Sequence, residues 1–212
     1  MKWSNMEDLL IAEFVPVLNE RHPGLPPFSG TPVVESEVIS DKAFDIVDVK
    51  GTSGSIKRLL SEGNASYYNG DNTVTYSLNF ISFEAFLNQF GDWSKDDGRC
   101  DYLVYDCGES KQYFILHELS YGHISNKRSK ARNQLFQTLN LLSKTDHLWN
   151  QIQRFSRRIC ILSCKDATVA SPLQMADGFM QIYAKLPDPI PMPAKQITRL
   201  NFEAVETCDI KL

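Results

Sequence analysis

The strongest constraint on how this chain folds lies between Cys100 and Leu142. Asp101 to Cys107 and Gln112 to Leu119 are short runs rich in aromatic and branched residues, separated by Gly108-Glu109-Ser110-Lys111. That pattern predicts a β-hairpin whose second strand returns past the first. Side chains alternate across a sheet, so Phe114, Leu116, Glu118 and Ser120 are expected on one face, and Tyr113, Ile115, His117 and Leu119 on the other. In an antiparallel pair the start of one strand lies beside the end of its partner, which puts Asp101 and Glu118 at the same end of the sheet. Two carboxylates placed there can share a hard cation such as magnesium.

The hairpin leads into a helix. Ser125 to Ser143 has helical spacing, with Ala131, Leu135, Leu139 and Leu142 as the buried stripe and Lys127, Lys130, Gln134 and Gln137 beside it. A further helical turn is expected from Leu148 to Phe155, and Arg157 to Cys164 is the best buried-strand candidate. Upstream, Thr73 to Phe80 alternates as a strand, and Ser82 caps a short helix that buries Phe86, Leu87 and Phe90.

The flanks are less regular. Asn5 to Glu20 reads as an amphipathic helix capped by Asn5, with Met6, Leu9, Leu10, Phe14 and Leu18 on its apolar side and a kink at Pro16. Thr31 to Ile39 and Ala43 to Val49 can supply strands, and the loop between His22 and Pro27 precedes them. Gly51 to Lys57 lacks the spacing of a phosphate-binding loop and reads instead as a turn into a helix from Ser55 to Glu62. Gly63 to Asn72 reads as a surface loop. Beyond Ser171 we expect one helix to about Lys185, a proline-rich run, and a terminal strand at Asn201 to Val205.

Composition narrows the class. With 212 residues, 42% hydrophobic and 23% charged, the chain has enough apolar matter for one core and is not disordered. A single domain is expected, divided into an N-terminal extension (1–72), a core (73–164) and a C-terminal addition (165–212). No run approaches the ~20 apolar residues that span a bilayer, and the N-terminus lacks the apolar core of a secretory signal. A cytoplasmic protein with no membrane partner is the expectation. Five scattered cysteines without a Cys-x-x-Cys read as buried free thiols, with zinc ranked below packing. The net charge of −4 gives no global pull on nucleic acid, so any such binding must come from a local patch. Two patches exist: Lys127, Arg128, Lys130 and Arg132, and later Arg154, Arg157 and Arg158.

A strand opening on Asp101, a hairpin, a strand closing on Glu118-Leu119-Ser120, a helix bearing Gln134 and a final apolar strand together resemble the PD-(D/E)XK nuclease superfamily over about residues 73 to 164. The resemblance implies an α/β, restriction-endonuclease-like fold: a three-layer core with a mixed central sheet flanked by helices, carrying N- and C-terminal additions. It implies Mg2+ or Mn2+ held by Asp101, Glu118 and the backbone carbonyl of Leu119, phosphodiester hydrolysis, and Gln134 as the glutamine some members carry on the following helix. Ser120 stands where the family carries a lysine, and Lys127 or Lys130 on the next helix would have to replace it. The alternative is a non-catalytic binding or accessory protein that keeps the fold and works through a protein or nucleic-acid partner.

Each residue also has a plainer role. Asp101 fits a strand start, Glu118 a solvated strand end, Lys127 to Arg132 a solvated helix start, and His117 and His123 packed or surface histidines. Cations at the positive end of a helix are unfavourable, and an anionic partner there would relieve them. A structural domain of a larger assembly is also compatible with the acidic charge.

Overall fold

The protein is described by a computed structural model covering residues 5–24, 26, 28–47, 55–57, 63–71, 73–91, 99–121, 124–165, 190–191 and 194–212. The chain starts with α1 (Met6–Leu9), a π-helical turn (Leu10–Phe14) and α2 (Val15–Arg21). Asn5 caps this run by accepting the Asp8 amide at 2.8 Å. Pro16 has no amide to donate back into the helix, and the widened π turn immediately before it absorbs that loss. Met6, Leu9, Leu10, Phe14 and Leu18 are all buried, as their spacing predicts.

The strands form two sheets. The larger, of seven strands, runs β1 (Ser36–Ile39), β5 (Leu78–Ser82), β6 (Tyr102–Asp106), β7 (Tyr113–Tyr121), β8 (Arg157–Lys165), β10 (Glu203–Glu206) and β9 (Ile190–Pro191) in spatial order. From β1 to β7 neighbours are antiparallel, β8 lies parallel to both β7 and β10, and β9 is antiparallel to β10. Between β7 and β8 come α4 (Ile124–Leu142) and α5 (His147–Ile152), the crossover that a parallel pair requires. The remaining helices are α3 (Phe83–Asn88) and α6 (Lys195–Thr198). The sheet is therefore mixed and the fold is α/β.

The smaller sheet has the order β11 (Asp209–Lys211), β4 (Ala65–Tyr68), β2 (Ala43–Val47) and β3 (Ser55–Lys57). Two expectations change here. Ser55 to Lys57 is a strand paired with Val47 to Asp45, not the start of a helix, while Arg58 to Glu62 lie outside the described residues. Ala65 to Tyr68 is a strand hydrogen-bonded on both edges, not a surface loop, and it buries Ala65 and Tyr67. The expected helix over Ser171 to Lys185 also lies outside the described residues.

The layering differs from the expected one in a related way. One face of the large sheet, with Leu103, Phe114, Leu116, Cys160 and Leu162, packs against the apolar sides of the described helices. On the other face Phe80, Tyr102, Val104, Ile115 and Ile161 meet Phe44, Ile46, Tyr67 and Ile210 of the small sheet. Among the described residues the order is helices, large sheet, small sheet, so helices flank the central sheet on one side only. Aromatic rings join the two layers: Phe44 stacks on Tyr67 within the small sheet at 5.1 Å and meets Phe80 of the large sheet edge-on at 5.5 Å. Segments expected as extensions are thus integral, since β1 and β10 lie in the large sheet and β2, β4 and β11 build the small one.

Two local devices hold the β6–β7 hairpin. Lys111 takes a left-handed backbone conformation at φ 44° in the turn. Asp106, almost fully buried, accepts the amides of Gly108 and Gln112, each at 3.0 Å, and the Ser110 hydroxyl at 2.5 Å. Asp106→Ala removes the acceptor of three donors at once. It is expected to lower the unfolding free energy by about 2 kcal/mol, read as a lower urea midpoint with an unchanged slope.

Candidate metal-binding site at the β6–β7 sheet end

The register of the central hairpin sets the geometry. The ladder ends with Tyr102 opposite His117, so Asp101, just before β6, and Glu118, just after His117, stand at the same end of the sheet. Alternation along β7 puts Glu118 on the helix-packed face of Phe114 and Leu116. Asp101 is half-buried and Glu118 only 6% exposed. The Leu119 amide donates to Asp101 Oδ2 at 2.5 Å, tying the aspartate to the backbone beside Glu118. The Asp101 carbonyl in turn accepts the amides of Phe83 and Glu84, which fixes the start of β6 against the start of α3.

Helix α4 lies over this sheet end and clamps the segment that leads into β6. Gln134 Nε2 donates to the Arg99 carbonyl at 2.9 Å, and one turn later Thr138 Oγ1 accepts the Cys100 amide at 3.0 Å. Arg99 Nε pairs with Glu84 at 3.5 Å. The Cys100 thiol is held well above its ordinary pKa, chiefly by burial and then by the nearby charges of Glu118 and Asp101. Both carboxylates therefore act on one buried atom between sheet and helix. Thr138 and Cys100 were not legible as site residues in the sequence. The only hint was a threonine four residues after Gln134, a polar residue inside a leucine stripe.

Asp101, Glu118, Leu119 and Gln134 are thus brought to one sheet end. Ser120 follows on the same strand and is also buried. Lys130 lies on α4 one turn before Gln134 with an exposed side chain, and the Lys127 side chain lies outside the described detail. The second basic patch serves the fold. Arg157 pairs with Glu203 through two nitrogens at 3.1 and 2.7 Å, its guanidinium carbon 5.7 Å from the Tyr113 ring centre, and Arg158 donates to the carbonyls of Gln153, Phe155 and Asn201. Of the cysteines, Cys100 and Cys160 are buried free thiols, while Cys107 is exposed and Cys208 half-exposed.

His117 occupies the opposite face, between the sheets, with no exposed surface. Its Nε2 meets Ser163 Oγ at 2.8 Å and its Nδ1 meets the Tyr67 hydroxyl at 2.9 Å. Ser163 donates its own proton to the Thr207 carbonyl at 2.5 Å, so it accepts from Nε2–H, and Tyr67 donates to Nδ1. The ring is neutral, and burial lowers its pKa to about 3. This is a packed histidine, as its face predicts, and it does not reach Glu118.

No family model matches the chain, no curated protein matches it, and no solved structure matches it. The site is therefore weighed on its own chemistry. No group of three or more His, Cys, Asp or Glu side chains able to hold a metal occurs among the described residues. A cation here would take two carboxylates and complete its shell from a backbone carbonyl and water. Such an all-oxygen, water-rich set suits magnesium or manganese and does not suit zinc. No helix among the described residues is long and apolar enough to cross a membrane.

Proposed function

We propose that this chain is a divergent PD-(D/E)XK-type protein of restriction-endonuclease-like fold, acting on nucleic acid with a divalent metal. The observation that carries the reading is that Asp101 and Glu118 stand at one sheet end, with Asp101 fastened by the Leu119 amide. The order β5, β6, β7, α4, β8 supports it, because an antiparallel meander followed by a helix and a parallel strand is the arrangement the sequence resemblance implies.

Asp101, Glu118 and the Leu119 carbonyl would hold Mg2+ or Mn2+, which when bound supplies charge neutralisation at a phosphodiester and a more acidic water. The chain's own groups have narrower tasks. The Leu119 amide orients the Asp101 carboxylate, Gln134 and Thr138 hold the Arg99–Cys100 backbone just before Asp101, and Lys130 on the exposed side of α4 offers a cation to a phosphate.

One observation favours a second reading, a binding or accessory protein of the same fold without hydrolysis. Ser120 is neutral and buried where the family places a lysine, and Lys130 is exposed. Incubating labelled DNA and RNA with the protein in Mg2+ and Mn2+ separates the two. Hydrolysis that falls about 100-fold or more in Asp101→Asn, and also falls in Lys127→Ala or Lys130→Ala, supports the enzyme. Retention of nucleic acid without cleavage by the wild-type protein supports the binding protein.

A further inference from the structure

A second feature of α4 lies outside the carboxylate pair. Between α4 and α6 runs a groove of about 650 Å³ lined by Ser129, Arg132, Asn133 and Phe136 on one wall and Lys195 and Gln196 on the other. Among the described residues no carboxylate lines it, in a chain whose net charge is −4. Arg132 is half-buried, its Nε has no accessible surface and no hydrogen-bond partner, and no ion pair to it occurs among the described residues. Burying a guanidinium N–H without an acceptor is costly, and buried donors are nearly always satisfied by protein, water or a ligand. Lys195, exposed across the groove, also has no carboxylate partner among the described residues. Two cations with three neutral donors around a cleft, and an aromatic ring beside them, form the chemistry that takes a phosphate oxygen and the nucleotide attached to it.

We propose that the groove between α4 and α6 binds phosphate groups of a nucleic-acid backbone, with Arg132 and Lys195 as its cationic partners. The choice of a polynucleotide as the source rests on the function proposed above; the anion-binding chemistry of the groove does not. Arg132 is the member of the basic cluster at the start of α4 that lines this groove.

The test uses the full chain in EDTA, so that metal at Asp101 plays no part. Affinities are measured for a labelled single-stranded oligonucleotide, its duplex and ADP, with Arg132→Gln, Lys195→Gln, the double variant, and Lys144→Gln as an exposed-cation control. The double variant is expected to bind the oligonucleotide at least about tenfold more weakly, and the slope of log affinity against log salt to fall by roughly 0.7 per cation removed for a single strand. Lys144→Gln is expected to bind as the wild type does. Lys195→Gln, on an exposed position, keeps the result readable if Arg132→Gln loses structure. Binding of ADP alone, weakened by the same variants, would replace the polynucleotide with a free nucleotide and overturn the backbone assignment. No binding of any probe, or affinities unchanged in both Lys195→Gln and the double variant, would overturn the site itself. If a separate titration without EDTA shows magnesium binding at Asp101 while oligonucleotide affinity is unchanged in the double variant, the groove is removed and the carboxylate pair is left standing. Loss of oligonucleotide binding in the double variant without any metal binding would do the reverse.

Discussion

Between pH 7 and pH 5 the protein is expected to lose roughly 2 kcal/mol of stability through His117 alone. In the unfolded chain the imidazole takes a proton near pH 6.5, whereas between the sheets burial holds its pKa at about 3. Over that window the unfolded state binds more protons than the folded one, so stability falls as pH falls and the loss ends only below the folded pKa. The size follows from about 1.5 pH units at 1.36 kcal/mol each. Protonation would also force Nδ1 to donate toward a Tyr67 hydroxyl that already donates to it, with Ser163 committed to the Thr207 carbonyl. Urea midpoints at pH 7 and pH 5 check this, compared with His117→Gln, whose amide keeps a donor and an acceptor without titrating. The variant is expected to lose most of the pH-dependence, and an equal pH-dependence in both proteins would show that the proton goes elsewhere.

Phe44→Ala is expected to cost 3–5 kcal/mol, roughly the range for a fully buried phenylalanine. Phe44 has no exposed surface and joins the layers, stacked parallel to Tyr67 within 5° and edge-on to Phe80 of the large sheet. Its loss opens a cavity at the one place where the small sheet, the Tyr67–His117 hydrogen bond and the large sheet meet. The protection of β2 and β4 amides from hydrogen exchange should fall with the global stability. Loss of exchange protection confined to β3 would contradict the joining role.

How much of this was legible depends on where each element finds its partner. The hairpin, α4 and β8 carry their pattern locally: alternation over Tyr113 to Leu119 and the Ala131, Leu135, Leu139, Leu142 stripe fix face and register without outside help. The small sheet does not. Ala65 to Tyr68 sits between Asn64 and Asn69 and looks like a loop, because its partners are Ala43 to Ile46 on one edge and Asp209 to Lys211 at the far end of the chain on the other. Asn69, which reads as a loop residue, is buried and bonds the carbonyls of Asp41 and Tyr76 and the Tyr76 amide. Gly70 belongs to the same turn, at φ +83° with a would-be Cβ 2.0 Å from the Val74 carbonyl, a demand no local pattern reveals. Among the described residues the small sheet, not helices, covers the second face, and for the same reason: what covers a face is decided by distant segments.

The site divides along similar lines. Asp101 and Glu118 were placed together by hairpin geometry alone, whereas the clamp from Gln134 and Thr138 to Arg99 and Cys100 requires knowing how α4 lies across the sheet. Gln134 was picked out through the family resemblance, and in the structure its amide holds backbone. Arg132 was one of four cations in a run, and only the packing of α6 beside it singles it out.

Whether Asp101 and Glu118 hold a divalent cation, as proposed, is measured directly by isothermal titration of the wild-type, Asp101→Ala and Glu118→Gln proteins with Mg2+ and Mn2+. One binding event is expected in the wild type, weakened by about tenfold or more in each variant, with both variants still folded by their far-ultraviolet spectra. No binding in the folded wild-type protein, or binding that both variants retain unchanged, would contradict it.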